Sequence, residues 1–181
     1  MAAAGFDDRP VVRTACIAAF LAASAAVLAI IPSPSYGARS AAAVSGVVIS
    51  ADRTQRTLYV VAGAERVYLV LAKRVFPVGA RVSVSGTVQS NGWTVLAAGR
   101  SDHISRTGSA TRVKVRGQLG FVDVARLRFQ LGAHGQVVAE VRFPRAFGSK
   151  LVRESAFTPN RTRVFALAIV RGSLQLLSLP R

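Results

Sequence analysis

Carboxylates are scarce in this chain: eight Asp and Glu stand against 24 Lys and Arg in 181 residues. Chemistry that needs a pair of acids, such as glycoside hydrolysis, has little to draw on, and no spacing selects a pair among Asp52, Glu65, Asp102, Asp123, Glu140 and Glu154. Histidine is scarcer, with His103 and His134 alone. Two imidazoles among scattered acids give no zinc-ligand spacing, and neither lies in a nucleophile elbow or another catalytic signature. Phosphate-binding loops and dinucleotide fingerprints are also missing. The expected class is therefore noncatalytic, with no cofactor and no metal. One cysteine, Cys16, excludes a disulfide within the chain. Arg13, Thr14 and Ala15 before it are not the residues of a lipobox.

Charge is absent altogether from residues 14–31, eighteen residues that also lack proline. At about 1.5 Å per residue a helix of this length reaches roughly 27 Å, just short of a typical hydrocarbon core. Arg9 and Arg13 precede it, and Ser35 and Gly37 supply small residues for cleavage before Ala38. Residues 1–37 read as a signal peptide or an N-terminal membrane anchor. Eight of the eighteen residues are alanine, only weakly lipophilic, which favours cleavage over anchoring. The remainder is expected to be secreted or extracytoplasmic, held at the cytoplasmic membrane by residues 14–31 if they are retained.

The net charge of +16 creates a field that concentrates polyanions. An exported domain meets anionic cell-envelope polymers and lipid headgroups before it meets a chromosome, so nucleic acid is the lesser candidate. An envelope protein is the alternative partner. Arginine supplies 21 of the 24 cations, as a GC-rich genome would also give, so the charge alone does not mark a site.

Beyond residue 38 the pattern is period-2 alternation broken by Gly, Asn and Pro, with no sustained helical period. A linker at 38–43 precedes expected strands at 44–51, 57–62, 66–71, 81–88 and 93–98. A second linker at 105–111 precedes strands at 112–119, 126–131, 136–143, 150–157, 163–171 and 174–179. Asn91-Gly92 signals a hairpin, since both residues tolerate the positive φ of a type I′ turn. The halves echo each other at an offset near 70 residues, with Val44-Ser45-Gly46 aligning with Val115-Arg116-Gly117. The division expected is a β domain at 44–104 and a second at 112–181, as a duplicated unit or as one sandwich built from both halves.

Gly46 to Val48, then Pro77, Gly79, Val82, Val84 and Gly86, then the Asn91-Gly92 hairpin form a pattern that resembles small exported bacterial β domains of OB type. The likeness covers 44–104, and 112–172 more loosely. It implies an all-β fold of one or two small OB-like barrels behind an N-terminal hydrophobic helix. Its motifs are backbone motifs and carry no activity.

Two candidate ligand surfaces follow from strand geometry. If Gly63-Ala64 closes a two-residue hairpin, Ala62 pairs with Glu65 and Tyr59 falls opposite Tyr68. A tyrosine pair beside Arg66 would then offer a stacking face, although such pairs also stabilise sheets without a ligand. Secondly, Arg112, Lys114 and Arg116 alternate with valines, and Arg126 and Arg128 alternate with Leu127 and Phe129. Pairing of those two strands would gather five cations on one face, suited to phosphate or carboxylate binding.

Overall fold

The computed structural model describes residues 40–97, 103–158 and 160–180, within a compact unit spanning Ala38–Arg181. The apolar run at 14–31 and the expected N-terminal helix lie outside the described residues. Among the described residues no helix is long and apolar enough to cross a membrane.

Alternating branched and small residues build the first half. It comprises β1 (Ser40–Asp52), β2 (Thr57–Ala62), β3 (Arg66–Leu71), β4 (Ala80–Val88), β5 (Thr94–Ala97) and β6 (Ile104–Ser109) in a six-stranded sheet of order β1-β2-β3-β5-β4-β6. β1 also pairs with β4, from Ser40↔Val88 to Val47↔Arg81. Inward positions such as Val48, Leu58, Val60, Val70, Val82, Val84 and Val95 form one apolar cluster, with Phe76 from the β3–β4 connection. At the register shift after Val48, β1 commits Val48 to this cluster and Ile49 to the next one.

The second half holds β7 (Arg112–Asp123), β8 (Arg128–Ala133), β9 (Gln136–Arg142), the helix α1 (Gly148–Phe157), β10 (Thr162–Val170) and β11 (Ser173–Leu176). Its strands close a five-strand barrel in the order β10-β11-β9-β8-β7. Val115, Phe129, Leu131, Val141, Phe165 and Leu167 are buried there, with Phe129 and Phe165 centroids 5.6 Å apart. Leu151 of α1 is fully buried in the same cluster. Ile49, Val61 and Val67 from the first half belong to it too, so the outer face of β1, β2 and β3 is covered by the second half. The result is a small all-β fold with a closed five-strand barrel, consistent with an OB-like arrangement.

Three expectations are corrected. Residues 40–43, read as linker, are the start of β1, because strand backbone pairs with β4 whether or not its Ser and Ala side chains alternate in polarity. Most of the linker at 105–111 is β6, an edge strand whose only fully buried residue is Ile104, so it shows no apolar period. The strand at 150–157 is α1: Lys, Leu, Arg, Glu and Ala favour helix, and one buried leucine fixes it where an alternating apolar row is missing. Thr158 ends α1 by donating from both N and Oγ1 to the Glu154 carbonyl, at 3.0 and 2.9 Å.

Candidate functional site

The hairpin loop between β2 and β3 has three residues, not two, because Ala62 pairs with Arg66. Ala64 and Glu65 both take positive φ, at 57° and 65°. That one-residue difference turns the tyrosines away from each other: Tyr59 pairs with Leu69, and Tyr68 with Val60. Tyr59 packs on the cluster shared with the second half, and Tyr68 on the cluster inside the first. The expected tyrosine pair does not exist.

The five-cation face does not form either. β7 and β8 do pair, but their register sets Arg128 opposite Asp123, at the far end of β7 from Arg112. At about 3.3 Å per residue the eleven positions from Arg112 to Asp123 span roughly 35 Å. Arg128 is bound to Glu140 at 2.7 Å, and Arg126 sits in the β7–β8 turn, where Asp123 accepts its backbone N–H at 3.0 Å and faces its guanidinium at 3.7 Å. Arg112 and Lys114 are exposed on β7 opposite Ala168 and Ala166 of β10.

What the fold does bring together is Arg66, Tyr68 and Arg116, from both expected surfaces, around a cleft of about 300 Å³ between the halves. β5 covers β3 only over Leu69–Leu71. Val67 therefore turns an uncovered carbonyl to that edge, and His134 Nε2 reaches it at 3.2 Å. β8 likewise ends at Ala133, leaving the backbone N–H of Arg116 to be met by the Glu65 carbonyl at 2.9 Å. The β2–β3 tip thus docks on β7. The Arg116 guanidinium stands 3.7 Å from the Glu65 carboxylate and is half exposed.

The aromatic wall comes from two turns. His134 and Gly135, with φ of 53° and 75°, form the two-residue β8–β9 turn between Ala133 and Gln136, and positive φ at both positions is the type I′ signature. Trp93 belongs to the β4–β5 loop, where Gln89 N–H bonds the Thr94 carbonyl, so the hairpin signalled by Asn91-Gly92 has a four-residue loop. Asn91 Oδ1 accepts the N–H groups of Trp93 and Thr94 at 3.1 and 2.9 Å, and its Nδ2 donates to Thr94 Oγ1 at 2.8 Å. This holds the indole stacked on the imidazole, centroids 4.7 Å apart and planes 6° from parallel. Gln118 and Thr162 complete the polar lining.

The cleft therefore offers two guanidiniums, a flat aromatic stack and neutral hydrogen-bonding groups, a set that suits an anion attached to a ring or chain. Among the described residues Arg66 has no ion-pair partner, and no three His, Cys, Asp or Glu side chains gather as a metal site. Trp93, His134 and Gln118 carried no functional signal in the sequence: 41 positions separate Trp93 from His134, and only the docking of the halves makes them neighbours. The one hint is that Trp93 is the sole tryptophan and directly follows the Asn91-Gly92 turn. Comparison with protein-family models, with curated proteins and with solved structures finds no match to the chain, so its own geometry carries the functional reading.

Proposed function

We propose that the chain is an exported, noncatalytic binding module whose cleft takes a short stretch of an anionic cell-envelope polymer bearing carboxylate or phosphate groups. The observation that carries this is the convergence of Arg66 and Arg116, from separate halves, beside the Trp93–His134 stack. Guanidinium forks bind planar carboxylates and phosphates, and the stack gives a flat surface for the ring that carries them. The position suits an OB-type unit, in which ligands meet the second and third strands and the loop between the fourth and fifth. The noncatalytic reading is favoured by how the acids are used: Glu65, Asp123, Glu140 and Glu154 each face an arginine, and Asp52 accepts the N–H groups of Thr54 and Gln55 in its turn.

Two OB-type units in tandem are the architecture we infer behind this site. Support comes from the pairings, which run β1-β2-β3-β5-β4 and return to β1 in the first half, as β7-β8-β9-β11-β10 returns to β7 in the second. In both, one parallel pair, β3–β5 or β9–β11, occupies the same place. A β-carbon on Gly46 of β1 would meet the Val61 carbonyl oxygen at 2.1 Å, and one on Gly117 of β7 would meet that of Gly132 at 2.6 Å. The sequence alignment of the halves superimposes Gly46 on Gly117.

Trp93, as the single tryptophan, reports on the cleft directly. Titration of its fluorescence with polygalacturonate, with a glycerol-phosphate polymer and with single-stranded oligodeoxythymidine, each across a salt series, tests the reading. Saturable, salt-weakened binding of an acidic glycan or polyol phosphate, lost in Arg66→Glu with Arg116→Glu, is expected. A spectrum unchanged by every polymer would remove the proposal, and preference for the oligonucleotide would replace its ligand. A role as a protein-interaction module is the second reading. It is favoured by β6, which among the described residues pairs with β4 alone and so leaves one strand edge open to β-augmentation.

A further inference from the structure

Away from the cleft, α1 carries a surface that neither the barrel nor the cleft uses. Leu151 buries one side of the helix, and Ser155 Oγ donates to the Gly120 carbonyl at 3.2 Å, fixing its last turn along β7. Lys150, Arg153 and Phe157 then share the solvent face at i, i+3 and i+7. Phe157 is 78% exposed. Glu154 is the only acid between Glu140 and the last residue, and Arg163 holds it at 2.6 Å. Lys150 and Arg153 are thus left without a neutralising carboxylate in their own segment.

A protruding phenylalanine flanked by long cationic side chains matches an anionic bilayer better than another copy of the chain, which would set Lys150 and Arg153 against themselves. The patch is also small, a few side chains beside the roughly 800 Å² per partner of a standard protein interface. A fluid lipid surface needs no matching contour. It accepts apolar rings in the headgroup region while ammonium and guanidinium groups stay with the phosphates. We propose that this face of α1 docks the protein on an anionic membrane surface, with Phe157 entering the interface and Lys150 and Arg153 binding lipid phosphates. The patch shares no residue with the cleft, so either assignment stands without the other.

The test uses the full chain carrying Phe157→Trp, with the parent chain giving the Trp93 baseline. Vesicles of phosphatidylcholine alone, and of phosphatidylcholine with phosphatidylglycerol, are prepared with and without brominated acyl chains. A blue shift and bromine quenching confined to the vesicles containing phosphatidylglycerol are expected. Because the reporter stands at residue 157, attachment of the chain through another segment leaves it unquenched. Adding Lys150→Glu and Arg153→Glu should weaken the response at least about thirtyfold, roughly fivefold per cation removed. Phe157→Ser in the parent chain should lower vesicle binding without loss of fold, since the ring touches little of the protein. Equal quenching on neutral vesicles, quenching that survives both charge reversals, or no quenching at all would overturn the proposal. A blue shift produced by soluble polyglutamate but by no vesicle would reassign the surface to an acidic protein.

Discussion

The indole of Trp93 lies flat on the imidazole of His134, planes 6° from parallel and centroids 4.7 Å apart, and this contact joins a loop of one half to a turn of the other. His134 also reaches the Val67 carbonyl at 3.2 Å, so one side chain both walls the cleft and occupies an uncovered strand edge. His134→Ala should therefore affect the cleft and the joint together. Stacked rings contribute about 0.5–1.5 kcal/mol beyond their buried area. A double-mutant cycle of Trp93→Ala with His134→Ala, read by denaturant midpoints, should return a coupling within that range. A coupling near zero would mean that the rings touch without contributing to the joint.

Glu65 already faces the Arg116 guanidinium that the proposed anionic ligand would bind. Its carboxylate is 3.7 Å from the Arg116 guanidinium, and an incoming carboxylate or phosphate must compete with it. Exposed pairs at such separations contribute about 0–1 kcal/mol. Glu65→Gln should thus leave the melting temperature nearly unchanged and strengthen polyanion binding by a few fold, as measured by Trp93 fluorescence. Arg116→Ala should weaken binding with equally little effect on stability, because the Arg116 backbone N–H keeps its bond to Glu65.

The β2–β3 hairpin shows what a sequence discloses and what it withholds. Its strands, Thr57–Ala62 and Arg66–Leu71, are bounded by the alternation of their side chains and coincide with the expected limits. Its register is not, because positive φ at Ala64 and Glu65 belongs to residues that do not advertise it. One extra loop residue then sends Tyr59 and Tyr68 to opposite faces. β6 and α1 were hidden for a related reason: each buries one or two side chains, too few to print a period on the sequence. The cleft was hidden because its walls come from distant segments. Even so, Arg66, Tyr68 and Arg116 were each legible singly as exposed or half-exposed strand residues, and docking of the halves unites them.

Leu151 links the helix to the barrel. It is fully buried, whereas Leu177, just past β11, is 45% exposed. Leu151→Ala should cost about 2–5 kcal/mol, the usual range for truncating a buried leucine, and Leu177→Ala much less. Chemical denaturation of the two variants provides the comparison. Equal losses would show that α1 does not seal the barrel cluster.

Gly46 and Gly86 test the pairings around the first half more sharply than any apolar residue. A β-carbon on Gly46 would stand 2.1 Å from the Val61 carbonyl oxygen, and one on Gly86 2.1 Å from that of Leu96. Both contacts are with the backbone of a paired strand, which cannot rotate away as a side chain can. Gly63, in the β2–β3 loop, has nothing within 4 Å of the same position and lacks a positive φ. Gly46→Ala and Gly86→Ala should therefore each destabilise by about 3 kcal/mol or more, by forcing strands apart. Gly63→Ala should be neutral or stabilising by up to about 1 kcal/mol, through the entropy of the unfolded chain. Thermal unfolding of the three variants orders them directly. If Gly46→Ala melts with Gly63→Ala, β1 and β2 do not approach as closely at this point as the fold requires. The duplication of this contact at Gly117 would then lose its physical basis.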